Sequence, residues 1–116
     1  MAELRVTGGE LVLHLTGIEK AEAAHSSLRA PLTAIRGVEI LEDAHAPADR
    51  GIKVGTRIPG YIEVGTIHAD GHKIFAVVHK DTRRGLLIWL EGASHDQWIV
   101  GCADPETVAS SLGLLG

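Results

Sequence analysis

The apolar and polar residues alternate along much of the chain, and this pattern predicts short β-strands, most clearly in the second half. Four strands are predicted there: Tyr61–Ala69, Lys73–Lys80, Gly85–Glu91 and Gln97–Cys102. Asp70-Gly71 is the strongest hairpin signal, because a two-residue turn of this type favours residues that tolerate a positive φ. Such a turn places Ala69 opposite His72 and Ile67 opposite Ile74. We expect the four strands to form an antiparallel meander.

A helix is predicted over residues 105–112, directly after the last strand. Asp104 is a favourable N-cap, Pro105 suits the first helical position, and Gly113 can end the helix. Val108, Ala109 and Leu112 give the helix an apolar stripe. The predicted order in this half is therefore strands followed by one capped helix.

The first half of the chain gives weaker patterns. Predicted strands cover residues 4–7, 10–16 and 38–42, with an extended edge segment at 28–32 that contains Pro31. Gly8-Gly9 can form the turn between the first two strands. Ile18, Ala21 and Ala24 lie at helical spacing, which predicts a short helix at Gly17–His25. Because two turns are marginal without packing, a mobile loop is the alternative.

Both faces of the predicted second-half strands are apolar. Phe75 and Val77 lie on one face of their strand, and Ile74, Ala76 and Val78 lie on the other. An antiparallel sheet with one solvent-exposed face would alternate more cleanly. The second face must therefore be covered by the helix, by a loop or by another subunit, and a homodimer is the commonest form of such a subunit contact.

Composition limits the classes of function. The 116 residues fit a single domain, 1–116, and the net charge of −4 argues against a nucleic-acid partner. The four aromatic residues are few for stacking bases or lining an organic-ligand pocket. The single cysteine, the lack of a signal-peptide pattern and the lack of an apolar run of about 20 residues favour a cytoplasmic protein without a transmembrane segment.

Residues 43–60 show no sustained period and are rich in Gly, Pro and Ala. A structureless loop of this length is uncommon in a compact domain, so it is functional, mobile, or contains a short unrecognised element. Arg50, Lys53 and Arg57 could form an anion site there, because glycines let backbone N–H groups approach a phosphate. The alternative is a surface loop with solvated charges, and no phosphate-binding motif is present.

The histidines and the cysteine do not predict a catalytic or metal site. Only His68 and His72 among the seven histidines have the spacing of two zinc ligands on a helix, and they flank the predicted hairpin turn. Cys102 lies in a predicted strand, where a buried thiol is usually inert. We therefore predict no catalytic residue, no metal and no cofactor.

The segment LRAPLTAIRGVEILED, residues 28–43, resembles part of the bacterial pleckstrin-homology-like (PH-like) domains, and the later strands and C-terminal helix follow the element order of that family. It is most similar to the small stand-alone PH-like proteins of high-GC bacteria. The resemblance implies a mainly β fold, a partly open antiparallel barrel capped by helix 105–112, with a short helix near 17–25 as a departure from the simplest plan.

This resemblance also implies a non-catalytic binding module. Its expected partners are a second copy or another protein, with weak binding of an anionic head group as an alternative and peripheral lipid contact unsupported by any motif.

A second resemblance leads to a different class of function. GTIHADGHKIFAVVH, residues 65–79, is similar to the hairpin of flavin-binding split barrels, which would make the protein oxidoreductase-like. In those hairpins a proline usually follows the turn, whereas His72-Lys73 stands here.

Overall fold

The computed structural model describes residues 2–114, and the fold is mainly β with a C-terminal helix, as predicted. The strands are β1 (Glu3–Thr7), β2 (Glu10–His14), β3 (Leu28–Pro31), β4 (Ile35–Leu41), β5 (Ile52–Ile58), β6 (Ile62–Ala69), β7 (His72–Val78), β8 (Gly85–Leu90) and β9 (Gln97–Gly101). The helices are α1 (Gly17–Ala23), α2 (His45–Ala48) and α3 (Pro105–Ser111). None of the helices within residues 2–114 is long and apolar enough to cross a membrane.

The strands form two sheets that share one core. The first sheet has the order β1-β2-β3, and the second has the order β4-β8-β9-β7-β6-β5. Side chains from both sheets and from α3 meet in the main apolar cluster, which includes Leu11, Leu13, Phe75, Trp98 and Ala109. In the described part of the chain neither sheet closes on itself. The mainly β class is thus confirmed, whereas a PH-like barrel is not.

Both predicted two-residue turns are present. Gly8 and Gly9 have φ values of 57° and 77° and join β1 to β2, with Thr7 opposite Glu10. Asp70 and Gly71 also have positive φ and join β6 to β7. The register of the second hairpin is the predicted one, with Ala69 opposite His72 and Ile67 opposite Ile74. These turns were predictable because their residue types set the local backbone conformation.

The predicted antiparallel meander is wrong in its strand order. β9 lies between β7 and β8, and it pairs with β7 in parallel and with β8 antiparallel. Residues 79–84 lead from β7 to β8 across a gap one strand wide, and β9 fills that gap. All five residues of β9 are buried. Its backbone groups therefore need partners on both sides, and the two flanking strands supply them.

The short helix α1 is confirmed, but its apolar stripe does not face the protein. Ile18 is 75% exposed, whereas Glu19 and Ala23 are buried. Thr16 caps the helix and forms a capping box with Glu19. Glu19 is buried because its carboxylate takes part in this box and in further contacts described below. β2 ends at His14, two residues before the predicted end of the strand, because Thr16 is already the N-cap of α1.

Of the alternatives left open for residues 43–60, the unrecognised element is the one that the structure shows. The segment contains α2 and the seven-residue strand β5. Ala44 and Ala48 are fully buried against the second face of the six-stranded sheet, where they pack with residues such as Ile67, Val78 and Ile99. The chain itself thus covers the second apolar face, which leaves that face no need of another subunit.

The C-terminal helix begins as predicted. The Asp104 side chain accepts a hydrogen bond from the Thr107 backbone N–H, and Pro105 occupies the first turn. α3 contacts β4 and β8, and Ala109 is fully buried in the main cluster. The helix therefore packs against the core beside β4 and β8.

Candidate functional site

The outermost strand of the six-stranded sheet carries an exposed apolar row. β5 is the edge strand next to β6, and Ile52, Val54 and Ile58 on it are 75%, 53% and 51% exposed. Tyr61, in the turn that follows, is 52% exposed. We call these four residues the β5 edge surface. They are four of the eight large apolar side chains that are exposed within residues 2–114.

The strand pattern explains why these side chains share a face. Side chains alternate along a strand, so Ile52, Val54, Thr56 and Ile58 lie on one side of β5. α1 packs against β5, and the Thr56 hydroxyl on this side donates to the Glu22 carbonyl at 2.9 Å. The neighbouring positions along the strand are left exposed. An edge strand also presents N–H and C=O groups that point away from its only neighbour.

The opposite side of β5 carries two of the three cations predicted to bind an anion. Arg57 Nε donates to both oxygens of Glu63 at 2.9 and 3.1 Å. Lys53 Nζ lies 3.0 Å from a Glu63 oxygen. Glu63 is fully buried, and the side chain of Lys53 is only 3% exposed. The structure therefore brings Lys53 and Arg57 together on one carboxylate.

Arg57 also fixes the segment that covers the sheet. Its guanidinium donates to the backbone carbonyls of Ala48, Arg50 and Gly51. An arginine has five N–H donors in a fixed plane, so one side chain can bind a carboxylate and several carbonyls at once. Arg57 thereby ties α2 and the chain after it to β5 and β6.

The third predicted cation is separate from the other two. Arg50 lies 3.5 Å from Asp70 in the hairpin turn, and its side chain is 40% exposed. Burial lowers the pKa of Lys53 below its ordinary value, and the Glu63 carboxylate partly opposes that change. The anion site stays a prediction, and in this structure carboxylates hold all three of its residues.

Glu63 and Glu19 are buried carboxylates whose importance the sequence did not reveal. Glu19 accepts hydrogen bonds from the backbone N–H groups of Ala2 and Thr16, and His79 Nε2 lies 2.6 Å from it. Burial alone would raise the pKa of Glu19, but the Thr16 and His79 hydrogen bonds hold it below the ordinary value. One feature of the sequence points to the role of Glu63: it is a lone charge in an apolar strand, two positions from the exposed turn.

The histidines lie in several separate environments. His95 is buried, and its two ring nitrogens lie 3.0 Å from the hydroxyls of Thr66 and Ser94. Its ring also packs edge-on against His25 and Phe75. Burial lowers the pKa of His95 to about 4, so the ring is neutral at pH 7. Among the described residues, no group of three His, Cys, Asp or Glu side chains is arranged to hold a metal ion.

A shallow cleft of about 250 Å³ lies beside α2. Its charged lining residues are Asp43, Asp49, Lys80 and Arg83, and His45 forms part of its wall. Carboxylates and cations are mixed here, and Arg83 lies 3.8 Å from Asp43. The cleft therefore carries both signs of charge side by side.

Cys102 does not have the properties of a nucleophile. It is half-buried, and burial raises the pKa of its thiol to about 11. The thiolate is the reactive form, so a thiol with this pKa is almost entirely protonated at neutral pH.

Comparison with known proteins identifies no relative: no family model matches the chain, and neither a curated protein nor a solved structure is significantly similar to it.

Proposed function

We propose that the protein is a non-catalytic interaction module that associates with a second copy of itself through the β5 edge surface. The supporting observation is the row of exposed apolar side chains on an edge strand of the six-stranded sheet. An exposed, apolar edge strand is a template for pairing with another strand. Apolar burial and new backbone hydrogen bonds then act together in one contact.

β5 suits pairing better than the other sheet edges. Natural proteins protect edge strands with charges and prolines. β1 exposes Glu3 and Arg5, and β3 ends at Pro31. β4 exposes Arg36 and Glu39. β5 has two charged residues as well, but both point to the side where Glu63 binds them.

The charges of β5 are balanced within one copy. Lys53 and Arg57 contribute two positive charges, and Glu63 and Asp49 contribute two negative charges close to them. A cation directed at solvent would repel the same cation on an approaching copy. Because these two are bound to carboxylates of their own chain, the repulsion that normally protects an edge strand is reduced.

The non-catalytic part of the proposal rests on the condition of the nucleophilic and basic groups. Cys102 is a protonated thiol at neutral pH, and His95 is a buried ring whose pKa of about 4 makes it a weak general base. The Glu19 carboxylate that His79 contacts also forms the capping box of α1, which gives the pair a structural role.

The finer expectations drawn from the resemblances stay predictions. The C-terminal helix supports a PH-like module, whereas the parallel pairing of β7 with β9 and the open sheets argue against it. The hairpin that resembles flavin-binding split barrels is present, with Asp70 and Gly71 at its turn, and flavin binding stays a prediction. Head-group binding would require Lys53 and Arg57 to leave Glu63. A cytoplasmic location likewise stays a prediction.

Sedimentation equilibrium tests the proposal. The contact involves one short strand, so it belongs with the small, weak interfaces, and we expect association at about 0.1–1 mM. Over that range the apparent mass should rise from 12.3 kDa towards twice that value. Val54→Lys should keep the protein monomeric, because a lysine at the centre of the edge opposes pairing.

Val6→Lys is the matched control. Val6 is a 39% exposed valine on β1, in the other sheet, and its replacement should leave the association unchanged. Circular dichroism and the thermal midpoint should show that both variants are folded. A wild-type protein that stays at 12.3 kDa up to about 1 mM would refute the proposal, as would a Val54→Lys variant that associates normally.

A further inference from the structure

The sequence of β5 is nearly the same in both directions. Around Gly55, it places Val54 and Thr56 on either side, then Lys53 and Arg57, then Ile52 and Ile58. Each pair matches in class: two β-branched residues, two long cations and two isoleucines. A strand with this symmetry is suited to antiparallel pairing with an identical strand, because every residue then meets one of its own class.

We infer that β5 of a second copy pairs antiparallel with β5 about a two-fold axis at Gly55. This inference rests on the proposed function and specifies the arrangement of the two copies. Ile52 of each copy lies opposite Ile58 of the other, Val54 lies opposite Thr56, and Gly55 meets its own equivalent. Closed two-fold pairing uses the same surface on both copies and therefore stops at a dimer.

The side-chain directions agree with this register. Residues directly opposite each other in an antiparallel pair point to the same face of the sheet. Ile52 and Ile58 are six positions apart, so they lie on one side of β5, and the two-fold axis keeps both on the corresponding side of the dimer. The exposed Ile52 of one copy is then covered by Ile58 of the other, and the reverse contact repeats it.

The glycine at the axis has an independent structural cause. Gly55 has a φ of 147°, and a Cβ on it would lie 2.3 Å from the Val64 carbonyl oxygen. Its own sheet therefore requires glycine at this position, and the result is an axis without a side chain. The Glu22 carbonyl oxygen of α1 lies 3.2 Å from that Cβ position, so the two backbones would meet beside α1.

The register also places Lys53 opposite the partner's Arg57. Like charges directly opposite each other in a sheet are normally destabilising. Here each cation is within 3.0 Å of a Glu63 oxygen of its own chain, so every copy brings its counter-charge to the contact. The two six-stranded sheets become one continuous sheet of about twice that width.

Cross-linking through introduced cysteines tests the register. The background variant is Cys102→Ser, which removes the only native thiol. In this background, Ile52→Cys and Ile58→Cys are made singly and together, and a bismaleimide linker of about 8 Å is added. Opposite residues in the dimer have Cβ atoms about 5 Å apart, whereas residues six positions apart on a strand are separated by about 20 Å.

The double variant should therefore form a covalent dimer, and each single variant should form at least about tenfold less, because its two thiols are too far apart. Both replaced side chains are more than half exposed, so the fold tolerates the changes. A Val6→Cys single variant reports random cross-linking. The linker cannot join residues 52 and 58 of one chain, because β5 is extended between them.

Two failures can be distinguished. If the Cys102→Ser protein associates in sedimentation equilibrium but the double variant does not cross-link above the Val6→Cys level, the two-fold register is wrong and self-association stands. Strong cross-linking of either single variant also overturns the register. If the protein does not associate at all, both the register and the proposed function are wrong.

Discussion

Replacing Glu63 with glutamine should destabilise the protein strongly, because Glu63 is the counter-charge of two cations. It is fully buried on β6, with Arg57 Nε at 2.9 Å and Lys53 Nζ at 3.0 Å. Glutamine keeps the size of the side chain but removes its charge. Lys53, whose side chain is 3% exposed, would then be a buried cation without its partner.

The expected loss follows from this geometry. Removing one partner of a buried ion pair typically costs about 3–5 kcal/mol, because the other charge is left uncompensated. Arg57 keeps its bonds to three backbone carbonyls, so we expect a value near the lower end, about 3 kcal/mol. A protein of this size should then lose about 10 °C in its thermal midpoint.

Urea unfolding of the Glu63→Gln variant measures this loss. Glu39→Gln is the matched control, because Glu39 is an exposed glutamate on β4 and its replacement should change the free energy of unfolding by less than about 0.5 kcal/mol. Adding Lys53→Met to Glu63→Gln should restore more than half of the loss, since it removes the unpaired buried charge. A loss below about 1 kcal/mol, or no recovery in the double variant, would refute this account of the cluster.

Two further predictions concern the folded core. Gly65→Ala should lower the thermal midpoint by the equivalent of at least about 2 kcal/mol, because φ is 147° and a Cβ would lie 2.3 Å from the Val54 carbonyl oxygen. Gly60→Ala is the control, since a Cβ there has open space and the substitution should cost less. Equal losses in the two variants would contradict this. The pKa of His95 is lowered by burial to about 4, so between that pH and 6.5 the unfolded chain binds more protons and the free energy of unfolding rises with pH. His95→Gln should reduce that slope in urea unfolding from pH 4 to 6.5, and an unchanged slope would contradict the assignment.

The elements that the sequence predicted correctly depend on neighbouring residues. Gly8-Gly9 and Asp70-Gly71 form turns because these residue types accept positive φ, and Asp104 begins α3 because its side chain caps the first turn. The register of the β6–β7 hairpin follows from its turn. Turns, helix caps and hairpin registers can therefore be predicted from a few neighbouring residues.

The order of the strands depends on contacts between distant residues and was not predictable in this way. No local pattern shows that β9 enters between β7 and β8, since a buried strand has the same composition beside either neighbour. β5 was missed because Gly51 and Gly55 interrupt its apolar pattern, although Ile52, Val54 and Ile58 keep the strand period.

The candidate site was partly visible in the sequence. Lys53 and Arg57 were selected as cations that could act together, and they do meet, but on Glu63 of the same chain. Sequence spacing alone could not identify this carboxylate, because Glu63 lies on β6 and the strand that carries the two cations, β5, was not predicted. The second apolar face of the six-stranded sheet, which suggested a partner, is covered by residues of α2. The exposed apolar side chains lie on β5 instead.

Hydrogen exchange measured at two protein concentrations tests self-association through β5 most directly. At about 10 µM the amides of residues 52–58 that face away from β6 should exchange rapidly, and at about 1 mM they should be protected by the second copy. The amides of β1, at the edge of the other sheet, should exchange at the same rate in both samples. Protection confined to β5 is the result that we predict, and exchange in β5 that does not change with concentration would contradict the proposed interface.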